Sequence, residues 1–483
     1  MRSFALEALE EARSAGADYA DVRFVETARE EIGVKNGRVA LVTRTDDRGF
    51  GVRVLARGAW GFSSSAIPSR DEARRVAREA VEIAHASARL AERPVALAPV
   101  EPIVATWRTP FRLDPFEVPL EEKIDLLFSI DEAARRVMGV TVVQGEMSFR
   151  RIRKAFVSTE GAAIEQEILR SGIGYAVTAV RAGDLQVRSY PNSFGGQFQT
   201  KGYELIGEWP LVAEAERVAS EAVALLSAEQ CPSGARDIIL DSSQLALQVH
   251  ESCGHPIELD RVLGAEANYA GKSFLTPDLL GSFRYGSPAV SIEASALTPG
   301  GVGTYGFDDE GVPAQRWEIV RDGLFTGYLT SRETAAAIGE PASRGTMRAD
   351  SWNRLPIIRM NNVNLRPGAG TLDELIRDTE DGIYMETNRS WSIDQLRLNF
   401  QFGTEIGWEI KKGKRVRMLK NPTYGGTTPE FWRACDAVCG ADEWVLWGLT
   451  SCGKGQPGQL AETGHGAAPA RFRKIAVGAA YAR

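Results

Sequence analysis

At 483 residues, with 43% hydrophobic and 25% charged side chains, the chain carries enough apolar material for more than one buried core. A formal net charge of -7 and an isoelectric point near 5.5 weigh against phosphate-backbone binding, so nucleic acid is not an expected partner. The opening segment turns acidic from Glu7 and holds no long apolar run, so it reads as neither a secretory leader nor a membrane span. An odd number of cysteines, five, is not a disulfide framework, and a reducing, cytoplasmic setting is expected.

In chain order, residues 2 to 15 read as an amphipathic helix that Gly16 ends. Tyr19 to Glu26 and Val39 to Ser65 read as antiparallel strands, with turns at Asp46-Asp47-Arg48-Gly49 and Arg57-Gly58-Ala59. A helix follows, opened by a capping box of Ser69 and Glu72 and continued by the stripe Ala73, Val76, Ala77, Ala80, Val81 and Ala84. Pro94, Pro99, Pro102 and Pro110 then interrupt regular structure, which marks an exposed linker. A second helix, sheet, helix order runs from Leu120 through strands between Val140 and Phe198 to a helix at 211–227. The expected class is α+β, with units at 1–95 and 111–228 and a larger, strand-rich unit at 229–483.

That third unit opens with a strand at Asp237 to Leu240, followed by the N-cap candidates Asp241, Ser242 and Ser243. The helix so started carries His250-Glu251-Ser252-Cys253-Gly254-His255, two of only four histidines in the chain. In the familiar His-Glu-x-x-His signature the imidazoles are four residues apart, about 40° around the helix, and reach one zinc ion. Five residues sweep roughly 500°, which leaves the rings about 140° apart on a regular helix. The pair therefore predicts a π-bulge, which absorbs one residue and restores a common face. Gly254 is expected to loosen the turn and Pro256 to end it.

Two imidazoles supply half of a tetrahedral shell, and a catalytic zinc needs one more protein ligand and an open position. Glu258, Asp260, Cys253, Cys435, Cys439 and Cys452 are all candidates. Cys452 is the best placed, in a polar glycine-rich loop where Lys454 would lower its pKa. His85 and His465 read as ordinary surface or core histidines, and Cys435 and Cys439 as buried hydrophobes on one helix. The glycines at Gly300-Gly301-Val302-Gly303 and Gly425-Gly426 lack the strand-to-helix setting of a phosphate loop.

The chain resembles the TldD/PmbA metallopeptidases over nearly its whole length. The resemblance rests on His250 to His255, Asp308-Asp309-Glu310-Gly311 with Pro313, Leu355-Pro356 with Arg359-Met360, Asp381-Gly382-Ile383-Tyr384, and Cys452-Gly453-Lys454. It is to the metal-binding branch, and it implies one zinc ion per chain on His250, His255 and Cys452, with Glu251 as general base. It also implies two α+β halves and a dimer, with itself or with a metal-free relative, enclosing a cavity for short unfolded peptides. Asp308, Asp309 and Glu310 would line the peptide channel or bind its amino end, or else form a turn before Gly311. Met385 to Ser392 departs from the glycine-rich segment of the familiar branch. Two other readings stand beside zinc-dependent peptide hydrolysis: a thiol peptidase with Cys253 as nucleophile, and a non-catalytic subunit of a peptide-processing complex.

Overall fold

In the computed structural model, which describes residues 2–478, four unusually long strands dominate the first half: β1 (Tyr19–Lys35), β2 (Arg38–Ala56), β5 (Val140–Ser158) and β6 (Ala163–Arg181). With β3 (Ala59–Ser65), β4 (Val104–Arg108), β7 (Asp184–Tyr190) and β8 (Gln197–Gln199) they form one sheet in the order β3-β2-β1-β5-β6-β4, with β7 and β8 also on β6. The segments on either side of the proline-rich stretch thus share a single sheet. That stretch is not wholly irregular. Between Pro102 and Pro110 the chain forms β4, which pairs in parallel with Ala163–Glu167 of β6.

Side chains alternate across a strand, so β1 serves two layers at once. Val22 and Phe24 pack under helices α1 (Arg2–Ser14) and α2 (Arg70–Ser87), and Ile32 and Val34 pack under α3 (Leu120–Arg135) and α4 (Leu211–Leu225). The alternate residues, Arg23 and Val25, face the other way, against the C-terminal region. Ser69 caps α2 by accepting from the Glu72 amide, but only that half of the expected capping box forms. Asp46 to Gly49 is not a turn: the segment continues β2, fully paired with β1. Gly49 is required there by close approach, because a Cβ would lie 2.3 Å from the Trp352 ring.

In the C-terminal region, strand pairing closes a ring through Gly234–Leu240, Ala470–Val477, Thr423–Thr427, Asn399–Lys411 and Asp381–Ile393. A second, six-stranded sheet ends in Asn362–Leu365, Gln459–Ala467 and Val445–Lys454. Helix α5 (Ser242–Val249) is buried along its whole length and packs against both sheets. This mixture of helices with several mostly antiparallel sheets is the expected α+β class. Cys435 and Cys439 are buried but share no helix. The helix ends at Arg433, and Cys435 begins the strand Cys435–Val438. No helix among the described residues is long and apolar enough to cross a membrane.

Candidate metal centre

Asp241 starts α5 by accepting hydrogen bonds from the amides of Ser243 and Gln244, both at 3.0 Å. The helix then widens into a π turn over His250–Gly254, and the His255 amide donates to the His250 carbonyl at 3.1 Å, five residues back. The predicted bulge is therefore present. It brings the two imidazole centroids to 4.8 Å, with ring planes 86° apart. Gly254 has a different reason from the one expected: a Cβ would sit 2.1 Å from Met360 Sδ, so glycine lets this turn lie directly on Met360.

Cys452 arrives from the strand Val445–Lys454, and its Sγ lies 3.6 Å from His255 Nε2. One donor atom each from His250, His255 and Cys452 falls within 4.8 Å of the others, all three residues buried. A thiolate at about 2.3 Å and an imidazole at about 2.0–2.1 Å from a tetrahedral zinc stand roughly 3.6 Å apart, so the sulfur–nitrogen spacing fits that ion.

The hydrogen-bond chain behind each histidine selects its tautomer. His465 Nδ1 is 3.0 Å from the Val363 carbonyl, which can only accept, so His465 carries its proton on Nδ1 and offers Nε2 as an acceptor. His250 Nδ1 lies 2.8 Å from that Nε2 and must donate, which leaves the His250 Nε2 lone pair free for a metal. His255 Nδ1 faces Glu258 Oε2 at 3.0 Å, which likewise reserves its Nε2. Glu258 is fully buried and has Arg261, Lys454 and Arg359 at 3.7, 3.5 and 3.9 Å. Glu258, a candidate third ligand by sequence, thus stands behind His255, and His465, an ordinary histidine by sequence, stands behind His250. The one signal for His465 was that it is the only other histidine in the third unit, 13 residues after Cys452.

Burial pushes His250 down to about 4 and His255 well below its ordinary value, so both are neutral near pH 7, as ligation demands. Burial alone would raise the Cys452 thiol, but the surrounding groups, the Arg359 guanidinium foremost, outweigh it and leave the pKa below that of a free thiol. The helpful cation is Arg359, whose Nη2 is 3.0 Å from Sγ. Lys454, expected in that role, instead donates to Asp260 Oδ1 at 2.6 Å and the Ile358 carbonyl at 2.7 Å. Cys253 is fully buried, and burial pushes its thiol up to about 12, which makes it a poor nucleophile.

Glu251, beside His250, meets Arg397 Nη1 at 2.5 Å through Oε2. Arg397 sits with φ of 63° in the hairpin between Asp381–Ile393 and Asn399–Lys411, so the divergent segment Met385 to Ser392 lies in the strand leading to it. Asp308, Asp309 and Glu310 are 2–3% exposed and have internal partners. Asp308 accepts from the amides of Glu310, Val312 and Met347. Asp309 pairs with Arg23 and Lys154, both at 3.0 Å, and Glu310 with Arg53 at 3.2 Å. They turn the chain before Gly311, one of the expected readings, and anchor the first sheet to the C-terminal region.

Three family models together match most of the chain: PmbA/TldA metallopeptidase domain 1 over residues 20–84, the central domain over 113–226 and the C-terminal domain over 233–478. A metalloprotease from Methanocaldococcus jannaschii is 30% identical over 437 residues, covering 90% of this chain and 92% of that one. A metalloprotease from Methanothermobacter thermautotrophicus is 31% identical over 464 residues, 95% of each chain. Among solved structures, TldE from Thermococcus kodakarensis has the same fold, with a TM-score of 0.72 at 13% identity over 98% of this chain and 100% of that one. The match to all three models in chain order, with His250, His255 and Cys452 inside the third, places the chain in the PmbA/TldD metallopeptidase family.

Proposed function

We propose that this protein is a zinc-dependent peptidase that hydrolyses short or unfolded peptides. The observation that carries this reading is the convergence of one donor atom each from His250, His255 and Cys452, with Glu251 next to His250 in the same π turn. Among the described residues this donor set has three members, as in a catalytic site with an open position, and not the four of a structural zinc. That favours catalysis over the non-catalytic subunit, and the buried, high-pKa Cys253 disfavours the thiol mechanism. A zinc ion held there would supply a Lewis acid for the scissile carbonyl and acidify water.

The protein's own part begins with Glu251. Arg397 holds Oε2, so Oε1 is the oxygen left to take a proton from water and pass it to the leaving amine. His465 and Glu258 keep the two ligand imidazoles in the tautomer and orientation that ligation needs. The family resemblance supports three further parts of the proposal: the units 1–95, 111–228 and 229–483, one zinc per chain, and a dimer with a second copy or a metal-free relative around an enclosed cavity. Five unpaired cysteines fit action in the cytoplasm.

Elemental mass spectrometry of the dialysed protein, with peptide assays on the unaltered chain and Glu251→Gln, tests the reading. Expected are about one zinc per chain in both proteins and a fall in turnover of about 10²–10⁴-fold in the variant. Absence of metal after expression with added zinc, or full activity of Glu251→Gln, would sink it.

A further inference from the structure

The face of the first sheet turned away from its helices is rich in arginine, and where it meets the C-terminal region it closes over a cavity of about 30 Å³. Arg150 and Arg170 reach the cavity from β5 and β6, and Arg348, Arg359 and Glu462 line its opposite wall. The space holds one small ion or about two waters.

The lining carries five cations, Arg150, Lys154, Arg170, Arg348 and Arg359, against four carboxylates, Asp308, Asp309, Asp350 and Glu462, an excess of one positive charge. Glu462 is shared by two cations, Arg150 at 3.2 Å and Arg170. Lys154, also in the wall, is spent on Asp309. Among the described residues Arg348 pairs with no carboxylate. Its Nη1 donates to the backbone carbonyls of Met360 and Glu462 at 2.8 and 2.9 Å, and its guanidinium lies over the Tyr305 ring. The buried Nε of Arg150 and Oδ1 of Asp350 have no hydrogen-bond partner, and the Arg359 Nε lies 3.9 Å from the Glu258 carboxylate. Burial pushes Arg150 down to about 10. Burial, together with repulsion from neighbouring arginines, also lowers Arg170 and Arg348.

Buried guanidinium groups are stable when each has a counter-charge, and their planar N–H forks are well suited to anions. We propose that this cavity binds one small inorganic anion of about chloride size, held by Arg150 and Arg170 on the sheet and Arg348 on the C-terminal side. The anion supplies the missing negative charge and ties the first sheet to the region that carries Cys452. Arg359 belongs to both places, with Nη2 on the Cys452 sulfur and its side chain in the cavity wall. The three metal donors are not needed for binding, so occupancy is readable with or without zinc.

Crystals of the full chain grown in sodium bromide should show an anomalous scattering peak inside the cavity. In solution, chloride should raise the unfolding midpoint above that in sodium gluconate at equal ionic strength and pH, by about 2–4 °C once sites are saturated. Arg348→Met should abolish that chloride-specific rise. A cavity without bromide overturns the proposal, as do equal midpoints in chloride and gluconate. If Arg348→Met does not fold, bromide diffraction from the unaltered protein decides the matter.

Discussion

Arg397 Nη1 lies 2.5 Å from Glu251 Oε2, although the two residues are 146 positions apart and the arginine occupies a left-handed backbone conformation to reach it. This pair holds the proposed base in one orientation, and a charged hydrogen bond of this kind is worth about 1.5–3 kcal/mol. Arg397→Ala should therefore lower kcat by about 10–100-fold with little change in KM, and Arg397→Lys should restore part of the loss. Steady-state kinetics on both variants, with zinc content checked, separates positioning from loss of metal. A rise in KM at constant kcat would instead assign Arg397 to peptide binding.

His465 makes no contribution as a ligand in this arrangement, yet it sets which nitrogen of His250 is free. His465→Phe removes the acceptor and should weaken metal binding by about 10–100-fold. His465→Gln, which can offer an amide oxygen to His250 Nδ1, should recover much of it. Competition against a chromophoric chelator measures both, independently of turnover.

Asp309 is the buried anion between Arg23 and Lys154. Burial would raise its pKa, but the two cations outweigh that and hold it down at about 2. Because the folded-state value lies below the unfolded one of about 3.9, Asp309 stabilises the fold fully above that pH and loses its contribution as pH falls toward 2. Asp309→Asn should cost about 2–3 kcal/mol at pH 7, with the gap to the unaltered protein closing between about pH 4 and pH 2. Denaturant titrations at a series of pH values read this directly. A pH-independent gap would mean that the loss is one of packing and not of charge.

Gly254 lets the π turn rest on Met360. Gly254→Ala should cost about 1–3 kcal/mol through overpacking and should displace His255 enough to reduce zinc content. Adding Met360→Ala makes room for the new methyl and should restore metal. Zinc content restored in the double variant but not in the single one checks that the glycine serves close approach.

The parts of this protein decided by neighbouring residues were legible in the sequence. Asp241 as a helix cap, the apolar stripes of α2 and α4, and the need for a π turn between His250 and His255 all follow from spacing along a few turns of chain. Local spacing also misled where tertiary packing overrode it. Asp46 to Gly49 has turn composition but is drawn into β2 by pairing with β1, and the proline-rich stretch still supplies β4. The centre itself joins residues far apart in the chain. Cys452 and His465 come from adjacent strands of the second C-terminal sheet, Arg397 from a hairpin on the other sheet, and Arg359 from beside the packed Met360. No periodicity links those positions to His250, because strand register and sheet packing are set by the whole core. The sequence by itself determined the π turn that pairs His250 with His255 and singled out Cys452 as the best-placed third donor. Only the tertiary structure decided that Arg359, not Lys454, faces the thiolate, that His465 orients His250, and that Arg397 holds Glu251.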